Sequence, residues 1–316
     1  MDHVVLLADA SPEIGVGHVM RSITFGSELA KSGWLVTLLS KGLPDVLRNR
    51  AHGLGIGVQE RSLELSDPAV AEEIAAFGPS LIIRDGYRFS DDSADSLDNL
   101  GYPIIAIDDN HECSLGFPAA IINQNLHAHR VNYSNIADET VRFLGPSWAI
   151  IREEISTLRS TRAQRAGVVV ALGGTDPLSM TGPICRELQK RGIDTLNCDG
   201  SPSWHRFPAL LAESQLVIAA TGSTTWEAAC LGTPILGLIT AENQTQIGLT
   251  IGSEGLGLSI DVRSSPDPGE IVDTVERMLN NPESLLQFSK RGSALVDGFG
   301  TKRLADAVTN LWHSAP

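Results

Sequence analysis

Two loop segments of this chain combine side chains that can activate water or hold phosphate. The first is Asp9-Ala10-Ser11-Pro12-Glu13-Ile14-Gly15-Val16-Gly17-His18. Gly15 and Gly17 let a backbone turn tightly and approach a ligand. His18 then falls at the start of a helix, where the partial positive charge of the free N–H groups disfavours imidazolium. A neutral imidazole is what a general base requires near neutral pH. A histidine that only caps its helix accounts for the same residues. The second segment is Thr221-Gly222-Ser223-Thr224-Thr225-Trp226-Glu227. Free N–H groups at a helix start bind phosphate, Ser and Thr hydroxyls add donors, and Glu227 stands one turn in, within reach of a ribose diol. A capping box, with Glu at the third helical position, is the plainer account of Ser and Glu. It leaves the uninterrupted Gly-Ser-Thr-Thr-Trp unexplained.

Weaker signals accompany them. Gly173-Gly174-Thr175-Asp176-Pro177 reads equally as a ligand-facing loop or as an ordinary strand-to-helix turn. Glu242-Asn243-Gln244 offers amides to a sugar or phosphate, or a routine helix cap. His127-Ala128-His129 has no carboxylate or thiol at ligand spacing, and two surface histidines are expected there. Asp108-Asp109 reads as a strand-end turn. No Asp-x-Asp, Walker loop or Gly-x-Ser-x-Gly elbow occurs. The third glycine of a dinucleotide fingerprint would fall at Met20. No metal and no cofactor is therefore expected.

The elements that must position these residues alternate between buried strands and helices. Val4 to Ala8, Trp34 to Leu39, Leu81 to Ile83, Ile104 to Ile107 and Ala119 to Ile122 read as strands, with a helix from about His18 to Ser32. The alternation lapses between Leu126 and Arg165, and the cluster Arg159, Arg162 and Arg165 reads as a solvated linker. It resumes with strands at Val168 to Leu172, Leu216 to Ala220 and Pro234 to Leu238, a helix at Met180 to Lys190 and a helical tail. Such alternation predicts parallel sheets, which place ligands at the carboxyl ends of their strands. Both chemical segments stand there. The expected domains are 1–155, 166–300 and a C-terminal helix, 301–316, returning to the first.

With 316 residues the chain is long enough for two α/β domains. It carries 38 acidic against 24 basic residues, a net charge of −14. That charge, with no basic patch, argues against nucleic acid or anionic lipid as a partner. No apolar run is long enough to span a bilayer, and no signal-peptide pattern opens the sequence. Cytoplasmic residence is expected, with the scattered Cys113, Cys185, Cys198 and Cys230 as reduced thiols.

Ile14-Gly15-Val16-Gly17-His18-Val19-Met20-Arg21, Gly173 to Pro177, Gly222 to Glu227 and Asn243-Gln244 occur in the order and rough spacing of a known family. Over nearly its whole length the chain resembles the pseudaminic acid pathway UDP-sugar hydrolases, which act on UDP-2,4-diacetamido-2,4,6-trideoxy-β-L-altropyranose and have spore-coat relatives. The resemblance implies a GT-B fold, two Rossmann-like domains with parallel sheets facing across a cleft. It implies that His18 activates water, that Tyr87 lies near the sugar, and that Asn243 is an active-site amide. It places Gly15, Gly17, Arg21, Gly173, Gly174, Thr175, Asp176, Gly222, Ser223, Thr224, Thr225, Glu227 and Gln244 in the substrate- and nucleotide-binding set. Gly86 and Thr221 depart from the family pattern. The expected reaction is metal-independent hydrolysis of a UDP-linked sugar with inversion. A GT-B glycosyltransferase with a small acceptor, or a sensor without turnover, would use the same fold.

Overall fold

The computed structural model describes residues 2–11, 15–160, 165–174, 176–198 and 206–314. Pro12, Glu13, Ile14, Arg162 and Thr175 of the motifs above lie outside them. The chain forms two units, Met1–Ile150 with Gly300–Pro316, and Ile151–Phe299.

In the N-terminal unit the strands are β1 (His3–Ala8), β2 (Leu35–Ser40), β3 (Gly57–Glu60), β4 (Leu81–Asp85), β5 (Ile104–Ile107), β6 (Ala120–Asn123) and β7 (Val141–Leu144). They form one parallel sheet in the order β3-β2-β1-β4-β5-β6-β7. Strands β1, β4, β5 and β6 are buried almost throughout, as continuous Val/Ile/Leu runs in a parallel sheet require. Helix α1 (Gly17–Lys31) follows β1, with α2 (Asp45–Gly53), α3 (Val70–Ala75) and α4 (Asp91–Asp98) after the next strands. The order reverses between β1 and β4, because the chain goes outward through β2 and β3 before returning to β4. That reversal is the topological switch point at which α/β sheets bind ligands.

The C-terminal unit has α5 (Glu153–Ser156), β8 (Val168–Ala171), α6 (Thr181–Lys190), α7 (Phe207–Glu213), β9 (Leu216–Ala220), α8 (Ser223–Leu231), β10 (Ile235–Ile239), α9 (Thr245–Ser253), β11 (Gly257–Asp261), α10 (Pro268–Leu279) and α11 (Pro282–Leu295). Its sheet is also parallel, in the order β11-β10-β9-β8. The last helix, α12 (Gly300–Ser314), belongs to the N-terminal unit. There Trp312 packs edge-on against Trp34 at 5.9 Å, and Trp34 Nε1 donates to Thr309 Oγ1 at 3.1 Å.

Several sequence expectations change. Strands β3, β7 and β11 were not anticipated. Each lies at a sheet edge and is only partly buried, so none shows a continuous apolar run. His127 is no surface residue: it is 3 % exposed, just before a 3-10 turn at Ala128–Arg130, whereas His129 is exposed. Of the three arginines read as a solvated linker, Arg159 is exposed, Arg165 is half-buried and Arg162 lies outside the described residues. Arg165 donates to the carbonyls of Leu231 and Gly232 at the end of α8, and Arg159 to that of Ser293 near the end of α11. Both serve helix C-termini, where cations meet unsatisfied carbonyls. Cys185 and Cys198 are joined as a disulfide, not reduced. The segment Thr195–Asn197 runs along β8, with a bridge from Val168 to Thr195 and Asn197 bonding both the N–H and the C=O of Val170. This carries Cys198 over α6, a juxtaposition that sequence spacing does not reveal. Cys113 and Cys230 are free thiols, and burial pushes the Cys230 thiol up to about 12.

Candidate active site

Residues that follow β1, β4, β5 and β6 must converge at one end of the N-terminal sheet, since those strands are neighbours and all point the same way. The register sets Ala8 beside Asp85, Asp85 beside Ile107 and Ile107 beside Ile122. After β1, Gly15 turns with φ +74°, and its N–H closes the loop onto the carbonyl of Ser11. Gly17 then opens α1, and no side chain caps that helix. His18, second in the helix, is therefore not a capping residue. It lies one turn before Arg21, on the same face.

His18 Nδ1 lies 2.6 Å from Asp85 Oδ1, at the end of β4. Burial opposes ionisation of Asp85, but Arg21 and His18 outweigh it and leave its carboxyl below the ordinary aspartate value of 3.8. An ionised acceptor at that distance requires the proton on Nδ1, so neutral His18 keeps its lone pair on Nε2. Among the described residues no hydrogen bond engages Nε2. This is the orientation a carboxylate imposes on a catalytic imidazole.

Arg21 is 8 % exposed and clamps two carboxylates. Its Nε and Nη2 donate to Asp85 at 2.8 and 2.6 Å, and its Nη1 and Nη2 to Asp109 at 2.9 and 3.1 Å. Tyr87 Oη donates to Asp109 Oδ2 at 2.6 Å, and the Tyr87 ring stands edge-on to His18 at 4.6 Å. Burial and the Asp109 carboxylate push the Tyr87 phenol well above the usual tyrosine range, so it remains a hydroxyl. Asn125 Nδ2 completes the shell of Asp109 at 2.7 Å. Behind it, Asn123 and Tyr133 connect to Asp108, and His127 Nε2 contacts Asp109 O and Asn110 Oδ1.

Asp85 and Asp109 give this unit a defined acid sensitivity. Burial opposes ionisation of Asp109 too, but Arg21 holds its carboxyl far below 3.8. Folding therefore favours both ionised forms. The stabilisation is complete above about pH 4 and is lost as pH falls below it towards the folded values. Asp108 acts in the opposite sense, because burial raises its carboxyl despite Tyr133 and His111. Its contribution is present below pH 3.8 and is lost as pH rises through its folded value. Urea midpoints measured from about pH 6 down to pH 2 should fall steeply below pH 4. Asp109→Asn should be less stable at neutral pH and show a shallower acid slope; an unchanged slope would show that Asp109 titrates alike folded and unfolded.

In the C-terminal unit, the segments after β8, β9 and β10 likewise gather at adjacent strand ends. Gly222 is the N-cap of α8, and no side chain caps that helix. The capping-box alternative is thereby removed: the third helical residue is Thr225, not Glu227. Ser223 is exposed and Thr224 half-buried at the first two helical positions. Glu227 is 7 % exposed and forks with Arg152, Nε to Oε1 at 2.5 Å and Nη2 to Oε2 at 2.7 Å. The fork uses two of the roughly four lone-pair directions of a carboxylate. Gly173, with φ +87°, and Gly174 are exposed just after β8. Asp176 accepts from the N–H groups of Met180 and Thr181 at 3.0 and 2.9 Å, so its carboxylate caps the start of α6. Gln244 Oε1 accepts from Thr240 N and Oγ1 at 2.9 and 3.0 Å. Asn243 is half-buried in the 3-10 turn Glu242–Gln244.

The structure thus brings His18, Arg21 and Tyr87 together in one unit, and Gly173, Gly222 to Glu227, Asn243 and Gln244 to the strand ends of the other. Sequence reading assigned no role to Asp85, Asp109, Asn125 or Arg152. Asp85 and Asp109 were visible as strand-end carboxylates; nothing local marks Arg152. Among the described residues, no group of three His, Cys, Asp or Glu side chains is placed to hold a metal ion, and no helix is long and apolar enough to cross a membrane.

No family model matches the chain. It is 22 % identical over 282 residues to an uncharacterised protein of Methanocaldococcus jannaschii, covering 77 % of this chain and 57 % of that one, so it spans little more than half the length of that relative. It is 21 % identical to the spore coat polysaccharide biosynthesis protein SpsG of Bacillus subtilis over 98 % of both chains. It is 24 % identical to the UDP-2,4-diacetamido-2,4,6-trideoxy-β-L-altropyranose hydrolase of Campylobacter jejuni, over 63 % of this chain and 70 % of that one. Among solved structures, Acinetobacter baumannii MurG matches with a TM-score of 0.67 at 14 % identity, covering 98 % of this chain and all of that one. The S. aureus MnaA–UDP co-structure matches at 0.69 and 10 % identity, covering 100 % and 98 %. The fold is accordingly GT-B, with two Rossmann-like units, as the family resemblance implied; the alternation of strands and helices had predicted the parallel sheets.

Proposed function

We propose that this chain hydrolyses a UDP-linked amino or deoxy sugar, releasing UDP and the free sugar with inversion, in the manner of the pseudaminic acid pathway hydrolases. The observation that carries the reading is the His18–Asp85 pair, which leaves an imidazole lone pair on Nε2. In the proposed step a water oxygen attacks the anomeric carbon as Nε2 takes its proton. The bond from that carbon to the diphosphate oxygen breaks, and its electron pair leaves with UDP. The imidazolium formed is stabilised by Asp85. Tyr87, kept as a hydroxyl, is assigned to the sugar, and Asn243 to the active site with it. The nucleotide is assigned to the C-terminal unit: the uncapped start of α8, with Ser223, Thr224 and Thr225, receives the diphosphate, and Glu227, held by Arg152, accepts from the ribose hydroxyls through its remaining lone pairs. Gly173, Gly174 and Gln244 flank it. The Campylobacter hydrolase and the UDP-bound neighbour support the choice of nucleotide.

The fold is shared with transferases, so the test is whether UDP appears without an acceptor. Incubation with a panel of UDP-amino-sugars and UDP-deoxy-sugars should release UDP and an inverted free sugar in buffer alone. Release only after an alcohol or amine acceptor is added would make the chain a glycosyltransferase, and binding without release a sensor. The proposed mechanism routes no step through a metal ion, so turnover should persist after exhaustive chelation. Loss with EDTA and recovery with Mg²⁺ or Mn²⁺ would overturn that part.

A further inference from the structure

We propose that Arg21 is a positioning residue that locks His18 and Tyr87 into one geometry, by binding the two carboxylates that hold them. Sequence reading placed Arg21 among the ligand-binding residues. In the structure its Nε and both ends of the fork donate to Asp85 and Asp109, and Nη2 also lies 3.4 Å from His18 Nδ1, too long to compete with the 2.6 Å contact of that nitrogen with Asp85. Each carboxylate also holds a proposed catalytic group. Asp85 Oδ1 meets His18 Nδ1, and Asp109 Oδ2 accepts from Tyr87 Oη, both at 2.6 Å. The planar guanidinium fixes the two carboxylates relative to each other, and so fixes the imidazole edge and the phenol hydroxyl.

Charge counting adds a second argument. Around His18 stand Asp85 from β4, Arg21 from its own helix, Asp109 after β5 and the neutral Tyr87. With neutral His18 the buried cluster is one negative charge in excess, two carboxylates against one guanidinium. Proton uptake by His18 during the reaction cancels that excess. Arg21 therefore keeps two buried carboxylates together while leaving just the charge deficit an imidazolium fills. Without it the two buried carboxylates would face each other without a counterion, and buried like charges repel.

The inference rests on His18 as the base, and its primary test needs no substrate. In protein carrying ¹⁵N-labelled histidine, with the His18 signal assigned through His18→Asn, neutral His18 should show the Nδ1–H tautomer. Arg21→Lys keeps the charge and loses the two-sided fork. It should move the His18 ¹⁵N shifts toward the mixture seen in free imidazole. Turnover should fall by roughly 10²-fold, the scale of a displaced catalytic group, with KM within a few-fold of wild type. Asp109→Asn, which does not touch His18, should move the same shifts in the same direction, and it decides the matter should the Arg21 variant fail to fold. Wild-type tautomer signals in the variants would overturn the proposal. If no UDP-sugar is turned over by the wild-type protein, the hydrolase reading fails while the tautomer result still judges Arg21.

Discussion

Replacing His18 with alanine or asparagine is expected to lower turnover of the UDP-sugar by roughly 10²- to 10⁴-fold, the usual worth of a general base. Affinity for UDP should stay within a few-fold, because the residues assigned to the nucleotide belong to the C-terminal unit. The fold should tolerate the change: without His18, Asp85 still accepts from Arg21 Nε and Nη2. Asparagine can occupy the Nδ1 position as an amide donor to Asp85 but has no basic lone pair in place of Nε2, so the two variants should be about equally slow. A steady-state assay of UDP release, paired with calorimetric titration of UDP, checks both halves. Turnover within a few-fold of wild type would remove His18 from the mechanism. A parallel collapse of UDP affinity would make it a binding residue instead.

Removing Arg152 should have the largest effect on stability. Its side chain and that of Glu227 are 4 % and 10 % exposed. Arg152→Ala leaves the carboxylate buried without a counterion, a loss of about 3–5 kcal/mol from a domain whose whole stability is about 5–15 kcal/mol. The C-terminal unit should therefore unfold at a markedly lower denaturant midpoint. Pairing Arg152→Met with Glu227→Leu removes both charges and should recover most of that loss, since apolar replacement of a buried ion pair is close to neutral. The double variant also separates the two roles of Glu227. If the carboxylate accepts from the ribose, the refolded double variant binds UDP about 1.5–3 kcal/mol more weakly, and 2′- or 3′-deoxy nucleotides lose little further. Undiminished UDP affinity in the double variant would leave Glu227 a purely structural residue and send the search for the ribose contact elsewhere in the unit.

Much of this was legible in the chain, and what was not has a physical reason. The central strands announced themselves as apolar runs because both their faces are buried. Edge strands β3, β7 and β11 did not, because only part of each is. His18 and Gly222 to Glu227 could be singled out because their types and local spacing are unusual. Their partners could not, because the pairings are nonlocal: Asp85 is 67 residues from His18, Asp109 is 88 from Arg21, and Arg152 is 75 from Glu227. Strand order creates these contacts, and one sequence does not display strand order. Arg21 shows the same nonlocality: the two carboxylates it binds lie 64 and 88 residues away. The disulfide escaped because it depends on Thr195–Asn197 lying along β8.

The junction between the units has a practical meaning for protein engineering. A Cβ placed on Gly300 would fall 2.2 Å from the carbonyl oxygen of Ala149 and 2.7 Å from its nitrogen. The chain therefore leaves the N-terminal unit and re-enters it at one seam, so tight that only glycine fits the return. The C-terminal unit is an insert whose two ends meet in its host, the arrangement under which domains can be spliced out or exchanged. Joining Ile150 to Gly300 through a short linker would keep α12 against Trp34 and retain the His18, Asp85, Arg21, Asp109 and Tyr87 cluster in a module of about half the size. The same seam is a natural place to graft a different C-terminal unit onto this base.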